Sequence, residues 1–381
     1  MIHNNLHRCA SCKILFKLPN SCSSMGSFAL PSDSRFYRSF SIFRLDLHRA
    51  REARATSWVT GATMAAARQA AQSIPSIDIA STGARSTSIR VAYGTSGGVM
   101  YRGHAEDVLQ SGQFRRYRGK VQLILTSPPF PLNRKKRYGN LQGENFRTWL
   151  ADFAPAFRSL LTPSGSIVLE MGNAWEPGEP VMSTLALRAL LSFLANGNLN
   201  LCQQFVCFNK ARLPGPAQWV TVERIRVKDS FTHIWWMSPS VRPKANNRHV
   251  LVEYSKAMRR LLAIGKYNHG PRPSEHSVGR TSFLKDNGGA IPSNVLTVAN
   301  TTSSDEYVEY CKKTNLVLHP SRMSREIPNF FIRFLTDPGD LVLDPFAGSN
   351  TTGAVAEELS RRWIAIEANG DYARGSRGRF R

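Results

Sequence analysis

The 381-residue sequence has few acidic residues and no long apolar run. The 27 Asp and Glu residues stand against 50 Lys and Arg, which leaves a net charge of +23. So large a positive excess indicates a polyanionic partner, with nucleic acid as the commonest one and an anionic membrane as the rival. No apolar stretch approaches the roughly 18–20 residues that a membrane-spanning helix needs.

Cysteine is also sparse, and the six residues show no disulfide framework. This pattern fits a reducing compartment and a cytoplasmic location. A Cys9-x-x-Cys12 pair opens the chain, but no second ligand pair follows at the spacing of a zinc site. We therefore predict no metal site.

Residues 1–88 differ in composition from the rest of the chain. Ser, Arg and Ala dominate there, with four acidic residues and weak periodicity. We interpret this stretch as a disordered basic leader. Two alternatives stay open, namely an organelle transit peptide and a translation start further downstream at Met25 or Met64.

Residues 89–223 alternate between buried strands and amphipathic helices. The apolar run 121–126 predicts a central parallel strand, and apolar residues at helical spacing predict helices over 144–161 and 181–194. Strand, helix, strand, helix and strand in turn are the pattern of an α/β fold with a mostly parallel sheet.

The pattern loosens over 224–289 and then returns. One strand (231–238) is followed by Pro, Gly, Asn, His and many basic residues, which indicates an inserted basic module. Residues 290–381 resume with an amphipathic helix, a buried strand, a helix and a further strand. We therefore divide the chain into 1–88, 89–223, 224–289 and 290–381.

The late strand–loop–helix–strand unit has the layout of a site for an adenosine-containing cofactor. Gly348 lies in the loop, and Glu367 follows it by 19 residues near the end of the next strand. An acid at that place accepts hydrogen bonds from ribose hydroxyls. The unit lacks both a G-x-G-x-x-G motif and the lysine of a P-loop. An ordinary βαβ unit is the alternative.

A rigid corner, Thr126 to Phe130, follows the central strand. Two prolines fix φ and remove two backbone donors, so Ser127 and Pro128 present hydrogen-bond acceptors. Such a corner suits a planar group that carries an NH2, because the amine donates to the Ser127 hydroxyl and the Pro128 carbonyl while Phe130 covers the ring. A tight loop leaving a core strand is the structural alternative.

Together, "TSPPF" and "DPFAGSNTTG" resemble the DNA amino-methyltransferases that use S-adenosylmethionine. The Ser-Pro-Pro-aromatic form is similar to the cytosine-N4 branch. Ser127 precedes Asp344 by 217 residues, which is the order of the permuted (beta-group) branch. The resemblance implies a Rossmann-like S-adenosylmethionine-dependent methyltransferase fold, with 89–223 as the catalytic half, 224–289 as the basic target-recognition region and 290–381 as the cofactor-binding half.

The resemblance also implies roles for individual residues. Catalytic roles fall to Ser127, Pro128, Pro129 and Phe130; contacts to the methionine part of the cofactor fall to Asp344, Pro345, Phe346, Gly348, Ser349 and Asn350. Glu367 would bind the ribose, and His319 and Pro320 would wall the same pocket. Arg134, Lys135, Lys136 and Arg137 would clamp the DNA backbone, with a solvated charged face as the alternative.

The sequence departs from the family at three points. Asn350 stands where the family has glycine, and Met323-Ser324 stand where it has Phe-Pro. His104 occupies the place of an Asp near the adenine, which leaves Glu106 or Asp107 as substitutes.

Methyl transfer to the 4-amino group of a cytosine flipped from double-stranded DNA is the expected function. None of the six cysteines follows a proline, which argues against methylation at carbon 5, where a thiolate is needed. The alternatives are adenine-N6 methylation, a non-catalytic DNA-binding relative, and amide methylation of a protein. The family also implies a restriction-modification system, whose cognate endonuclease would share the target site.

Overall fold

The computed structural model describes residues 89–130, 141–298 and 304–380. The proposed leader lies outside the described residues, as do the predicted DNA contacts Arg134, Lys135, Lys136 and Arg137.

A nine-stranded sheet organises this part of the chain. The described ranges contain eleven strands, nine of which form this sheet. They are β1 (Arg90–Gly94), β2 (Gly98–Arg102), β3 (Val121–Thr126), β4 (Leu161–Gly172), β5 (Asn200–Phe208), β6 (Phe231–Ser238), β7 (Gly270–Pro271), β8 (Ser277–Val278), β9 (Val295–Thr297), β10 (Leu341–Asp344) and β11 (Arg362–Glu367). Their order in the sheet is β1-β2-β11-β10-β3-β4-β6-β5-β9, while β7 and β8 pair separately. The five strands from β2 to β4 in that order run parallel, which confirms the predicted mostly parallel α/β sheet.

Eight α-helices surround the sheet in the described ranges. They are α1 (Ala105–Gln110), α2 (Gly143–Leu160), α3 (Leu185–Gly197), α4 (Lys256–Ile264), α5 (Glu306–Lys313), α6 (Glu326–Leu335), α7 (Thr351–Glu358) and α8 (Gly370–Ser376). Helices α1 to α3 contribute to one core, and α6 to α8 contribute to a second.

Strand β3 is covered on both faces, which explains its continuous apolar run. Val121 and Ile124 belong to the core that α2 and α3 share, whereas Leu123 and Leu125 belong to the core that contains α6. All six residues of β3 are buried. A strand between two helical layers has no solvent face on which polar residues would alternate.

Two boundaries differ from the sequence-based expectations. Helix α3 begins at Leu185 instead of Val181, because Trp175 forms a β-bridge with Met182 and the Glu176 N–H donates to the Val181 carbonyl at 2.9 Å. Strand β6, inside the region 224–289, pairs antiparallel with both β4 and β5. Outside the sheet the region therefore consists of 224–230 and 239–289, with α4 and the β7–β8 pair in the longer stretch.

The parallel pairing of β3 with β10 decides where the site lies. These strands are parallel neighbours, with Ile124 opposite Leu343, although more than 200 residues separate them along the chain. Parallel neighbours end at the same edge of a sheet, and ligands of open α/β sheets bind beyond that edge. The two predicted motifs therefore leave the sheet side by side.

Candidate active site

A cavity of about 870 Å³ lies at the carboxyl ends of the central strands. It is lined by Ser127, Pro128, Pro129 and Phe130 from the segment after β3, and by Asp344–Ser349 from the segment after β10. His319 and Glu367 also line it. The structure thus brings the two motifs to one shared cavity, with a volume near the upper end of the ~300–1,000 Å³ usual for small-molecule sites.

A direct hydrogen bond joins the two motifs. The Thr126 hydroxyl, at the end of β3, donates to Asp344 Oδ1 at 2.6 Å. Asp344 also accepts from the Thr352 hydroxyl at 2.7 Å and from the Phe346 N–H at 3.1 Å. One carboxylate therefore ties together β3, the loop after β10 and the first turn of α7.

Burial raises the pKa of Asp344 to about 6, although its three hydrogen bonds act in the opposite direction. Both of its oxygens accept hydrogen bonds from protein donors. The geometry therefore indicates that Asp344 holds the cofactor loop in shape and does not mainly serve to bind a ligand directly.

Glycine at 348 is required by the cavity wall. Gly348 has φ of +52°, and a Cβ at this position would lie 2.9 Å from Nε2 of His319. Its N–H donates to Glu367 Oε2 at 2.8 Å, and the Asn369 N–H donates to Glu367 Oε1 at 2.7 Å. The loop at Gly348, the His319 ring and the Glu367 carboxyl therefore lie so close together that residue 348 has no room for a side chain.

Burial also raises the pKa of Glu367, to about 7, against the backbone hydrogen bonds that lower it. Glu367 is the last residue of β11 and lines the cavity. A carboxylate oxygen offers two lone pairs, so an oxygen that accepts one backbone hydrogen bond keeps capacity for a ligand hydroxyl.

Asn350 and Pro320 do not line the cavity. Asn350 is fully buried with φ of +52°, and its side chain caps α7 by accepting from the Gly353 N–H at 3.1 Å. Its amide also donates to the Tyr93 hydroxyl at 3.1 Å. Pro320 is exposed, whereas His319 borders the cavity with its ring edge-on to Tyr372 at 4.7 Å between centroids.

At the adenine end of the predicted site, Glu106 borders the cavity and Asp107 does not. Glu106 accepts a hydrogen bond from the Trp149 indole at 2.6 Å, and Trp149 packs against Phe346 with ring centroids 5.5 Å apart. His104 also borders the cavity but is exposed. Of the two acids considered from sequence, Glu106 is the one placed for contact with a ligand.

Phe130 rests on the end of β4. A Cβ at Gly172 would lie 2.4 Å from the Phe130 ring. The absence of a side chain at 172 therefore allows the ring to lie against the strand beside the Ser127 corner, where it also packs against the core.

Sequence reasoning missed a polar group beside this corner, which consists of Glu170, Cys207, Asn209, Arg212 and Thr232. Thr126 lies opposite Leu169 in the β3–β4 pair, so Glu170 is level with Ser127. The Thr232 hydroxyl donates to Glu170 Oε1 at 3.1 Å. An acid inside the apolar run of β4 was the available signal, but strands β5 and β6 bring the other members only through antiparallel pairing.

The chemistry of this group is set by burial. Burial raises the pKa of Glu170, while the Thr232 hydrogen bond and the charge of Arg212 act to lower it. Burial likewise raises the pKa of Cys207 to about 11. The Cys207 thiol is therefore neutral near pH 7 and is a poor nucleophile.

Comparisons with known proteins agree with this geometry. The model of a family described as DNA methylase matches residues 121–377. Type II methyltransferase M.PvuII of Proteus hauseri is 41% identical over 291 residues, which cover 76% of this chain and 85% of the relative. The solved structure of PvuII DNA methyltransferase (cytosine-N4-specific) has a TM-score of 0.61 at 36% identity and covers 77% of this chain and 89% of that chain.

A shorter match links the chain to DNA adenine methyltransferase YhdJ of Escherichia coli, with 48% identity over 54 residues, or 14% of this chain and 18% of the relative. The fold and the cavity define a methyltransferase that uses S-adenosylmethionine. The chain belongs to the DNA methylase family, which confirms the resemblance seen in its two motifs.

The described residues form neither a membrane-crossing helix nor a cluster of metal ligands. No helix there has the length and hydropathy needed to cross a membrane. Within the same ranges, no group of three or more His, Cys, Asp and Glu side chains is arranged to hold a metal ion.

Proposed function

We propose that this protein transfers the methyl group of S-adenosylmethionine to the exocyclic 4-amino group of a cytosine flipped out of double-stranded DNA. The observation that carries the proposal is the shared cavity, in which the Ser127–Phe130 corner and the Asp344–Ser349 loop are joined by the Thr126–Asp344 hydrogen bond. The similarity to a cytosine-N4-specific enzyme, over 77% of this chain and 89% of that chain, supports the choice of base.

The residues present fit the cofactor. The Gly348 backbone and the His319 ring leave a cradle that a Cβ would fill, and Glu367 supplies acceptors for ribose hydroxyls. Arg322, which borders the cavity, is suited to the carboxylate of the amino acid part. When bound, S-adenosylmethionine supplies an electrophilic methyl group on sulfur.

The corner after β3 would orient the acceptor amine. The Ser127 hydroxyl and the Pro128 carbonyl would accept hydrogen bonds from its two N–H groups and would hold the amine in a fixed orientation for transfer. The amine nitrogen would form the new bond to the methyl group that the cofactor supplies. Phe130, which lines the cavity, would stack on the base and keep water from its face.

The amine must then release one proton. Glu170 lines the cavity one residue beyond the Thr126–Leu169 pair, and burial raises its pKa, which makes its carboxylate a better proton acceptor. We assign this role to Glu170. The neutral Cys207 thiol offers no thiolate for a route through carbon 5.

Incubation with labelled S-adenosylmethionine and unmodified duplex DNA, followed by digestion to nucleosides, tests the proposal. N4-methylcytosine is the expected product. N6-methyladenine would instead show that adenine is the methylated base. DNA binding without any labelled nucleoside would indicate a non-catalytic relative.

The variant Ser127→Ala should lower kcat by about 100-fold, because one oriented acceptor is lost, and should leave DNA affinity nearly unchanged. Ser159→Ala is the matched control, since Ser159 is exposed and its hydroxyl bonds only within α2, to Ala156. An unchanged rate for Ser127→Ala would remove Ser127 from the mechanism.

The remaining assignments are also proposals. Pro129, Pro345 and Ser349 border the cavity and would complete its walls, and Asn350 would act by capping α7. The location would be the cytoplasm, with the DNA. A cognate endonuclease would share the target site, so DNA methylated by this protein should resist cleavage by that endonuclease.

A further inference from the structure

A buried arginine holds the cofactor loop from a segment that sequence reasoning left without a role. Arg379 lies on the 3-10 turn Arg377–Arg379, and its side chain is 4% exposed. Its Nε donates to the Ser349 carbonyl at 2.7 Å, and its Nη2 donates to the Ser349 hydroxyl at 3.2 Å. Ser349 lines the cavity, whereas Arg379 does not.

The same guanidinium contacts the start of α5. Its Nη1 lies 3.4 Å from Asp305 Oδ2, and its centre lies 4.9 Å from the centroid of the Tyr307 ring. Asp305 caps α5 by accepting from the Val308 N–H at 2.8 Å. Arg379 therefore connects the cofactor loop to helix α5, which precedes the strand–loop–helix–strand unit along the chain.

Helix α5 in turn holds a second segment of the cavity wall. The Tyr307 hydroxyl accepts a hydrogen bond from the His319 N–H at 2.8 Å. Arg322 Nη1 lies 3.3 Å from the same Asp305 oxygen that Arg379 contacts. His319 and Arg322 both line the cavity. One cluster thus links the loop at Ser349 with the segment from His319 to Arg322.

A guanidinium in this position is costly to bury, and burial lowers the pKa of Arg379. An apolar side chain of similar length would fill the same space without that cost. It could not donate to Ser349 and Asp305 at once, as the forked guanidinium does. The hydrogen bonds, more than the packing, are therefore what this residue contributes.

We propose that Arg379 is a positioning residue for methyl transfer. It fixes the backbone at Ser349 and, through Asp305 and Tyr307, the segment from His319 to Arg322, so that these two parts of the cavity wall keep the relative position that the cofactor requires. The proposal rests on the proposed function, since it assumes S-adenosylmethionine as the ligand.

The test compares Arg379→Met with Arg377→Met, an exposed arginine on the same turn. The Kd for S-adenosylmethionine, measured by titration calorimetry, should rise about 10- to 100-fold in Arg379→Met, because charge-assisted hydrogen bonds to the loop are lost. The Kd for duplex DNA should stay within about twofold, and saturating cofactor should restore most of kcat. Arg379→Lys should be intermediate, and Arg377→Met should match the wild type.

Two milder variants keep the proposal testable if Arg379→Met does not fold. Ser349→Ala removes only the hydroxyl acceptor, and Asp305→Asn keeps the cap of α5 but removes the charge shared by the two arginines. Each should raise the Kd for the cofactor by about threefold or more and leave the Kd for DNA unchanged.

Three results would overturn the proposal. The first is a wild-type cofactor Kd in a folded Arg379→Met, the second is an equal loss of DNA and cofactor affinity, and the third is unchanged cofactor binding in both milder variants. Failure of the wild-type protein itself to bind S-adenosylmethionine would instead overturn the proposed function.

Discussion

Cofactor affinity should depend on pH, because the carboxyl of Glu367 titrates near neutrality in the cofactor-free protein. Burial raises the pKa of Glu367 to about 7. Ribose hydroxyls donate hydrogen bonds, and a carboxylate accepts them better than a protonated carboxyl does. Binding should therefore favour the ionised form and release a proton.

The size of the change in Kd follows from the fractions of Glu367 that are protonated and ionised at each pH. With a pKa of about 7, roughly a tenth of Glu367 is ionised at pH 6 and roughly nine tenths at pH 8. If the ionised form alone binds well, the Kd should fall about tenfold between these pH values and change little above them. About 0.9 proton should be released per cofactor bound at pH 6, and about 0.1 at pH 8.

The same pKa shift also makes the free energy of unfolding depend on pH. The folded pKa lies above the ordinary value of 4.5, so the contribution of Glu367 to stability is present below that value and is lost as the pH rises through about 7. Because the cofactor favours the ionised form, the increase in Tm that it causes should be larger at pH 8 than at pH 6.

Titration calorimetry in two buffers of different ionisation enthalpy, at pH 6, 7 and 8, measures both Kd and proton release. Glu367→Gln should bind about tenfold or more weakly at pH 8, with no pH dependence from this position. The ligand 5′-methylthioadenosine is a useful control, because it keeps the ribose but lacks the titrating amino group. Asp344→Asn, Glu106→Gln, Glu170→Gln, His104→Asn and His319→Asn test the other acids and histidines that line the cavity.

A wild-type Kd that stays constant from pH 6 to pH 8 would refute this reasoning. Retention of the full pH dependence in Glu367→Gln would refute it as well, since the proton would then come from another group.

Three further substitutions test separate parts of the site. Thr126→Val removes the donor to Asp344, and the free energy of unfolding in denaturant should fall by about 1–3 kcal/mol; an unchanged value would mean that the bond is not needed. Gly172→Ala should displace the Phe130 ring, so single-turnover kinetics should show a rate at least about tenfold lower with an unchanged cofactor Kd. Cys207→Ser should keep kcat within about threefold, because the thiol is already neutral; loss of all methyl incorporation would indicate thiolate chemistry.

Local patterns in the chain were enough to predict the class of fold. The run 121–126 was continuous because β3 is buried on both faces, and the helical spacing after Glu144 matched α2 closely. The predicted start of a helix at Val181 was wrong, because the bridge between Trp175 and Met182 competes with helix formation there. That pairing is a tertiary contact that periodicity does not report.

The two motifs could be read from sequence because each is a short stretch with its own chemistry. Prolines fix the corner after Ser127, and Gly348 with Glu367 marks the cofactor unit at a fixed spacing. The roles assigned to these residues stay predictions until the variants are measured. The position of Asn350 shows the limit of carrying roles over by motif, since its side chain points to Tyr93 and the cap of α7.

The sequence by itself determined the alternation of strands and helices, the rigid acceptor corner and the cofactor loop, because those properties depend on neighbours along the chain. Only the tertiary structure decided that β3 lies beside β10, that Glu170 stands level with Ser127, and that Arg379 holds the loop at Ser349. These contacts join residues from distant parts of the chain, and their energies come from hydrogen bonds and burial that exist only after the sheet has formed.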